Sequence, residues 1–374
     1  MEYRSAGVDI ELGNKASRIL YNAARITWEN RKGRLGEVVE ISPDFSGIRG
    51  INVGMLPKDT YMGMGFDGVG TKIEIAERAR KHDTVAYDLF AMVCDDASRI
   101  GAEPVIIGSI LDVNTLCDGE DSYIDLLQQL AKGYIDAAKE ANVAVVNGEV
   151  AEVGARVRGY GEFNYNWGAS VIWFARKNNL ITGKDIKKGD RLVALREHGF
   201  RSNGISLVRR IMETAYGKEW HNEEYYGQLL GDLVLIPPSR IYTPAIVDMC
   251  GGAFNEPKAE VHSVAHITGG GIPEKLGRVL KNSEFGAYIE DPFEPFELML
   301  LCQEKGNVSD REAYMTWNMG QGMIIITREP EKVIKIASNY GIEAKVIGEV
   351  IEGDKIIIKS KGLHRKGKEL IYKK

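Results

Sequence analysis

The sequence predicts an α+β protein built from two mixed α/β domains. Its 374 residues exceed what a single hydrophobic core normally serves. Helical and β-rich apolar stretches alternate through residue 175 without an internal repeat, as mixed layers of helix and sheet require. The pattern breaks over 176–186, which places the domains at 1–178 and 179–374.

The elements follow in order. Residues 14–32 read as an amphipathic helix behind Asn14 as its cap. The stretch 40–58 carries Gly47, Gly50 and Gly54 and reads as a loop or lid. A strand over 61–66 leads into Asp67-Gly68-Val69-Gly70-Thr71-Lys72. Helices follow over 72–81 and 85–100, separated by His82-Asp83-Thr84 and ended by Gly101-Ala102-Glu103-Pro104, since helices rarely continue into the residue before proline. Next come a strand at 105–111, a long helix at 123–142, a strand at 143–146 ending at Asn147-Gly148-Glu149, and a strand at 167–175. In the second half a strand is expected over 191–195. A helix over 205–215 follows Ser202-Asn203-Gly204. After a Gly269-Gly270-Gly271 turn come a strand at 322–327 and a last strand pair near 344–359.

Apolar residues make up 44% and charged residues 27%, a globular composition that argues against disorder. The formal net charge of −5 gives no basic character pointing to nucleic acid or an anionic membrane. A local basic pocket for a small anion remains open. Cys94, Cys117, Cys250 and Cys302 are far apart and form no CxxC pair, which weighs against zinc and against a disulfide scaffold. There is no signal-peptide stretch and no run of about 18 apolar residues. These features favour a soluble cytoplasmic protein without a membrane segment. GxSxG and HExxH are absent.

Five segments are candidates for chemistry. In Asp67–Lys72, glycines let backbone amides approach a phosphate, Asp67 offers oxygen to Mg²⁺, and Lys72 offers positive charge. GxxxxGK[ST] is absent, so this is no Walker A loop, and the bland alternative is an ordinary turn. Asp88, Asp95 and Asp96 suit a hard cation. Asp88 and Asp95 share a helix face, and the alternative is a solvated acidic face. Asn147-Gly148-Glu149 with Glu152 follows a strand, where ligands often gather; the alternative is a loop. Ser202-Asn203-Gly204 precedes a helix whose N-terminus could hold an anion, or it simply caps that helix. His266-Ile267-Thr268-Gly269-Gly270-Gly271 forms a donor-rich loop that holds phosphate or carries His266 into a site, or a wide turn.

Together these segments resemble the AIR synthase (phosphoribosylformylglycinamidine cyclo-ligase) family, where AIR is aminoimidazole ribonucleotide. The resemblance is collinear. It runs from Tyr3-Arg4-Ser5-Ala6-Gly7-Val8-Asp9-Ile10 through Asp67–Lys72, Asp96, Gly101-Ala102-Glu103-Pro104 and Gly148-Glu149. It continues through Ser202-Asn203-Gly204, Pro238-Ser239-Arg240-Ile241-Tyr242 and Ala265–Gly271 to Asn318-Met319-Gly320-Gln321-Gly322-Met323. It implies two AIR synthase-type domains, with the N-terminal sheets of a homodimer pairing into a barrel-like interface. It implies a reaction taking formylglycinamidine ribonucleotide and ATP to AIR, ADP and phosphate. It further implies that Asp67, Gly68, Gly70, Thr71 and Lys72 meet Mg²⁺-ATP, with Asp67, Asp96 and Glu149 on the metal. Ser202, Asn203, Thr268, Gly269, Gly270 and Gly271 would face the ribonucleotide. Lys72 and His266 are the candidate catalytic residues, His266 as a polar contact or proton carrier.

The chain departs from that family at several points. Residues 42–50 are poorer in glycine than the family's loop. Asp95 stands where the family has Asn. Val150, Val153 and Gly154 replace the Thr, Met and Pro that follow the family's Gly-Glu, and Trp317 replaces a Phe. Two alternatives therefore stay open: a related ATP-dependent enzyme acting on another amide or phosphorylated substrate, and a non-catalytic nucleotide-binding protein of the same fold.

Overall fold

The structure, a computed structural model, describes residues 10–42, 47–118, 121–235 and 237–374. The first half runs α1 (Ile10–Thr27), β1 (Thr60–Gly68), α2 (Ile73–Ala79), α3 (Val85–Ser98), β2 (Glu103–Val113), α4 (Ile124–Ala141), β3 (Ala144–Glu152) and β4 (Tyr165–Arg176). Among the described residues these strands form one four-stranded sheet of order β1-β4-β2-β3. The β2–β3 pair is parallel and the others antiparallel. Helix α4 joins β2 to β3, because a parallel pair needs a crossover connection.

Side chains alternate across this sheet. Trp167, Ala169 and Val171 enter a core with Phe90 of α3 and Leu127 and Tyr134 of α4. The other face is open: Met62, Met64, Phe66 and Ile110 are all more than half exposed.

The second half adds β5 (Arg191–Arg196), α5 (Ile205–Tyr216), α6 (Leu230–Leu235), α7 (Thr243–Cys250), β6 (Val261–His266), α8 (Gly271–Leu280), β7 (Phe285–Ile289), α9 (Glu297–Gly306), α10 (Asp310–Thr316), β8 (Gln321–Thr327), α11 (Pro330–Asn339), β9 (Ala344–Glu352), β10 (Lys355–Lys359) and β11 (Glu369–Lys373). Its strands order as β6-β8-β5-β9-β7-β10-β11. Every residue of β8 is buried, as expected for a strand covered on both faces. Val193, Leu195, Met323 and Ile325 meet Ile246 of α7 and Val333 of α11. The alternate residues Leu192, Ala194, Ile324 and Ile326 join Ile272 and Leu276 of α8 in a cluster that continues into Phe90 and Leu127. The two halves therefore share one apolar core.

Helix α3 is the polar joint between the halves. Asp88 accepts from Lys72 Nζ at 2.8 Å and from the Ser239 hydroxyl. Asp95 accepts from Tyr242 N and Thr243 Oγ1, both at 2.9 Å, and from Arg201 Nη2 at 3.1 Å. Both carboxylates are fully buried, which is tolerable because charge partners and donors surround them. The solvated acidic face expected as the alternative for this helix is thus not what forms.

Other expectations also change. The strand expected to stop at residue 146 runs on to Glu152, because its register with β2 continues to Val113. Asn147-Gly148-Glu149 is therefore strand, not a loop behind one. The strands near 344–359 are not a pair: β7 lies between them, antiparallel to β9 and parallel to β10. The helix expected over 14–32 spans Ile10–Thr27, followed by a 3₁₀ turn at Trp28–Arg31. The loop at 40–58 contains half of a short ladder between Val38–Glu40 and Arg49–Ile51. Residues 43–46 of that loop, and Tyr3 to Asp9 of the opening motif, lie outside the described residues.

Candidate active site

The segment after β1 turns sharply. Gly70 adopts φ +72°, a left-handed conformation that glycine takes without steric cost. A 3₁₀ turn at Gly70–Lys72 then delivers the chain into α2. Asp67, exposed at the strand end, accepts the Gly68 N–H at 2.7 Å. Partial desolvation of its carboxyl group by the surrounding loops, and further the nearby Asp96 charge, push its pKa up. Thr71 Oγ1 lies 3.1 Å from Ser206 Oγ of α5, so this turn borders the second half. Lys72 does not reach the cleft. Its side chain is 1% exposed and its ammonium is held by Asp88. The expectation that it faces a triphosphate is corrected for this structure: a buried carboxylate claims the charge first.

The Lys275 ammonium, on the second turn of α8, interacts electrostatically with both Asp67 and Asp96. Burial lowers its pKa, and Arg278 lowers it further. It was not singled out from the sequence, where a lysine on an amphipathic helix looks like any other.

Two helix N-termini meet beside this turn. Helix α5 starts at Gly204 (φ +76°) and α8 at Gly270 (φ +91°), and neither has a side-chain cap. The capping role weighed for Ser202 and Asn203 is therefore not realised. Instead Ser202 Oγ and Asn203 Oδ1 are buried without a hydrogen-bond partner among the described residues. A Cβ built on Gly269 would lie 3.7 Å from Asn203 Nδ2, so the two loops are neighbours. Gly271 permits the approach: a Cβ there would stand 2.0 Å from the Tyr314 carbonyl oxygen. Thr268 accepts the Gly271 N–H through its carbonyl at 2.9 Å. Uncapped N–H groups and the positive ends of two helix dipoles converge on one place, an arrangement suited to an anion.

Behind these loops lies a buried polar chain. His266, 3% exposed at the end of β6, bonds Asp96 Oδ1 through Nδ1 at 2.9 Å. Its Nε2 is 2.9 Å from Arg201 Nη2. Arg201 also donates to Asp95, to Glu197 Oε2 at 2.8 Å and to the Arg240 carbonyl at 3.0 Å. Burial opposes the Asp96 charge, but the hydrogen bond from His266, with the charge and hydrogen bond of Arg99, outweighs it and holds this carboxyl well below the usual range. Burial pushes Asp95 up, against the pull of Arg201 and Thr243. Arg201 and Glu197 were missed in the sequence. Their one signal is position, since Arg201 immediately precedes Ser202.

Glu149 stands elsewhere. It lies in a cross-sheet row with Ile110 and Gly168 on the open face, lining a concavity of about 750 Å³ with Phe66, Asp67, Asp112 and Asn166. Among the described residues, no group of three or more His, Cys, Asp or Glu side chains is gathered so as to hold a metal ion. The expected trio of Asp67, Asp96 and Glu149 is thus not preassembled, because β3 carries Glu149 across the sheet. Asp67 and Asp96 remain neighbours of like charge. That pair fits Mg²⁺, which is commonly held by one or two carboxylates together with substrate phosphates.

Residues 51–170 match the model of the AIR synthase related protein N-terminal domain, and residues 187–361 match that of its C-terminal domain. The chain belongs to the AIR synthase family. It is 34% identical over 365 residues to a protein of Methanocaldococcus jannaschii named phosphoribosylformylglycinamidine cyclo-ligase, covering 96% of both chains. Among solved structures, the thiamine-monophosphate kinase of Stenotrophomonas maltophilia has the same fold, with TM-score 0.61, 12% identity, and coverage of 94% of this chain and 97% of that one. PurL of T. maritima, solved as a complex with ATP, gives TM-score 0.52 at 13% identity and covers 98% of this chain and 51% of that one.

Proposed function

We propose that this protein closes the imidazole ring of AIR, converting formylglycinamidine ribonucleotide and ATP to AIR, ADP and phosphate in purine biosynthesis. The observation that carries this reading is the placement of two uncapped helix N-termini beside the Asp67–Asp96 pair. One place suits the ribonucleotide phosphate and the next suits the cation that accompanies ATP. The near full-length similarity to a named cyclo-ligase and the fold shared with an ATP complex support it.

On this reading the Gly204 and Gly270 helix starts, with Ser202, Asn203 and Thr268, hold the substrate phosphate. Asp67 and Asp96 hold Mg²⁺, which supplies charge neutralisation at the phosphates. Lys275 adds positive charge at the same place, while Lys72 fixes the turn from inside. The formamide oxygen of the substrate takes the γ-phosphoryl group and ADP leaves. An amidine nitrogen then attacks the activated carbon, and the phosphorylated oxygen departs as inorganic phosphate. Positioning and neutralisation do most of this work.

A second copy covers the open sheet face, since a contiguous exposed apolar surface marks an interaction site. The four cysteines are free, as they are in a reducing cytoplasm. Among the described residues no helix is long and apolar enough to cross a membrane.

A second reading, a related enzyme acting on another amide, is favoured by the altered residues after Glu149: Val150 on β3, and Val153 and Gly154 just beyond its end. Purified protein with formylglycinamidine ribonucleotide, ATP and Mg²⁺ decides between them. Equimolar ADP and AIR are expected. ATP binding without turnover of this substrate favours the second reading, and failure to bind ATP overturns both.

A further inference from the structure

We infer that Arg201 is a positioning residue that fixes His266 as the Nδ1–H tautomer, making the ring a strut for Asp96 and not a proton carrier. A guanidinium has five N–H donors and no acceptor. Its Nη2 lies 2.9 Å from His266 Nε2, so Nε2 must accept and carries no proton. The ring proton then sits on Nδ1, which faces Asp96 Oδ1 at 2.9 Å. An imidazolium would set N–H against N–H at Arg201, and the other tautomer would lose both bonds. The partner of one ring nitrogen sets the state of the other.

Arg201 is itself overdetermined. It is 1% exposed and bonded to Glu197, Asp95, the Arg240 carbonyl and His266. Its backbone is left-handed at φ +59°, a conformation that costs a side-chain-bearing residue energy and persists when the surroundings impose it. Asp95, which departs from the family's Asn, completes this cradle with donors drawn from Tyr242 and Thr243. Orientation therefore passes from the joint between the halves through Arg201 and His266 to Asp96. Asp96 is held pointing at the site before any cation arrives.

The consequence for cation binding rests on the reading of Asp67 and Asp96 given above, whereas the tautomer does not. In protein labelled with ¹⁵N-histidine, two-bond ¹H–¹⁵N correlations report each ring's protonation, and His266→Gln assigns the signal. The free protein is expected to show His266 protonated at Nδ1 alone. Protonation at Nε2, alone or together with Nδ1, overturns the proposal. Arg201→Lys replaces the fork with one ammonium that cannot serve the carboxylates and the ring together. It is expected to release His266 toward the Nε2–H form and to raise the Mg²⁺-ATP Kd about tenfold, roughly 1.4 kcal/mol. Thr243→Val loosens the same joint without touching Arg201, and the tautomer should stay. A change there equal to that in Arg201→Lys means that general loosening is responsible, and refutes the specific role. If Arg201→Lys fails to fold, the tautomer of the unaltered protein still decides. If the unaltered protein binds no ATP, the cation reading fails while the tautomer result stands.

Discussion

Asp67 and Lys72 sit five residues apart in one turn and meet opposite fates. Asp67 ends a strand at the surface, so Asp67→Asn should leave the fold intact and weaken Mg²⁺-ATP binding by about tenfold or more, roughly 1.4 kcal/mol. Calorimetry with unchanged affinity would remove Asp67 from the cation site. Lys72 lies inside on Asp88. Removing one partner of a buried pair leaves the other charge uncompensated, at a cost of about 3–5 kcal/mol. Lys72→Ala should therefore lower Tm markedly, whereas breaking the exposed Lys188–Glu352 pair should leave Tm nearly unchanged, because solvent screens an exposed pair. Equal effects would mean that Lys72 is not structurally paired. The residue types at these positions were legible in the sequence because they recur in order with other motifs. Which of two charged residues faces out was not, since that depends on Asp88 and Ser239 arriving from other elements.

At the scale of elements, glycine positions were more legible than strand pairing. Gly204 and Gly271 stand at helix starts where no side chain fits. Gly271→Ala should cost about 1–3 kcal/mol through overpacking and weaken ribonucleotide binding more than ATP binding. Equal weakening of both would contradict the assignment of the α8 loop to the substrate phosphate. Helix α2 offers a test by pH. Its Glu77 is 7% exposed, accepts the Tyr160 N–H at 2.8 Å, and is pushed by burial to a pKa of about 7 from 4.5. The folded state thus prefers the protonated form. That contribution is full below pH 4.5 and is lost as pH rises to about 7. Relative to the unaltered protein, Glu77→Gln should gain stability on going from pH 5 to pH 8, by up to about 3 kcal/mol. Thermal melts showing the same difference at both pH values would contradict this. The extension of β3 through Glu149 was hidden for a related reason: register with β2 decides it, and register is a property of two strands.

At the scale of the molecule, domain number and mixed architecture followed from length and pattern. The order of the second sheet did not, because β7 is a short strand that lies between β9 and β10, both distant from it in sequence. Nor did the continuous core, which requires α3 to serve both halves. The open face of the first sheet leaves Met62, Met64, Phe66 and Ile110 in water. If a second copy covers it, Met64→Lys with Phe66→Asp should convert a dimer to a folded monomer in sedimentation velocity. A monomeric unaltered protein would dismiss that arrangement.

Ring closure by this route decides the fate of one oxygen atom. Formylglycinamidine ribonucleotide labelled with ¹⁸O in the formyl group, incubated with the protein and Mg²⁺-ATP, should yield unlabelled AIR and inorganic phosphate carrying one ¹⁸O per turnover. Phosphate without label alongside AIR would contradict activation of that oxygen by ATP, and label released to water would place ring closure outside the chemistry assigned to this site.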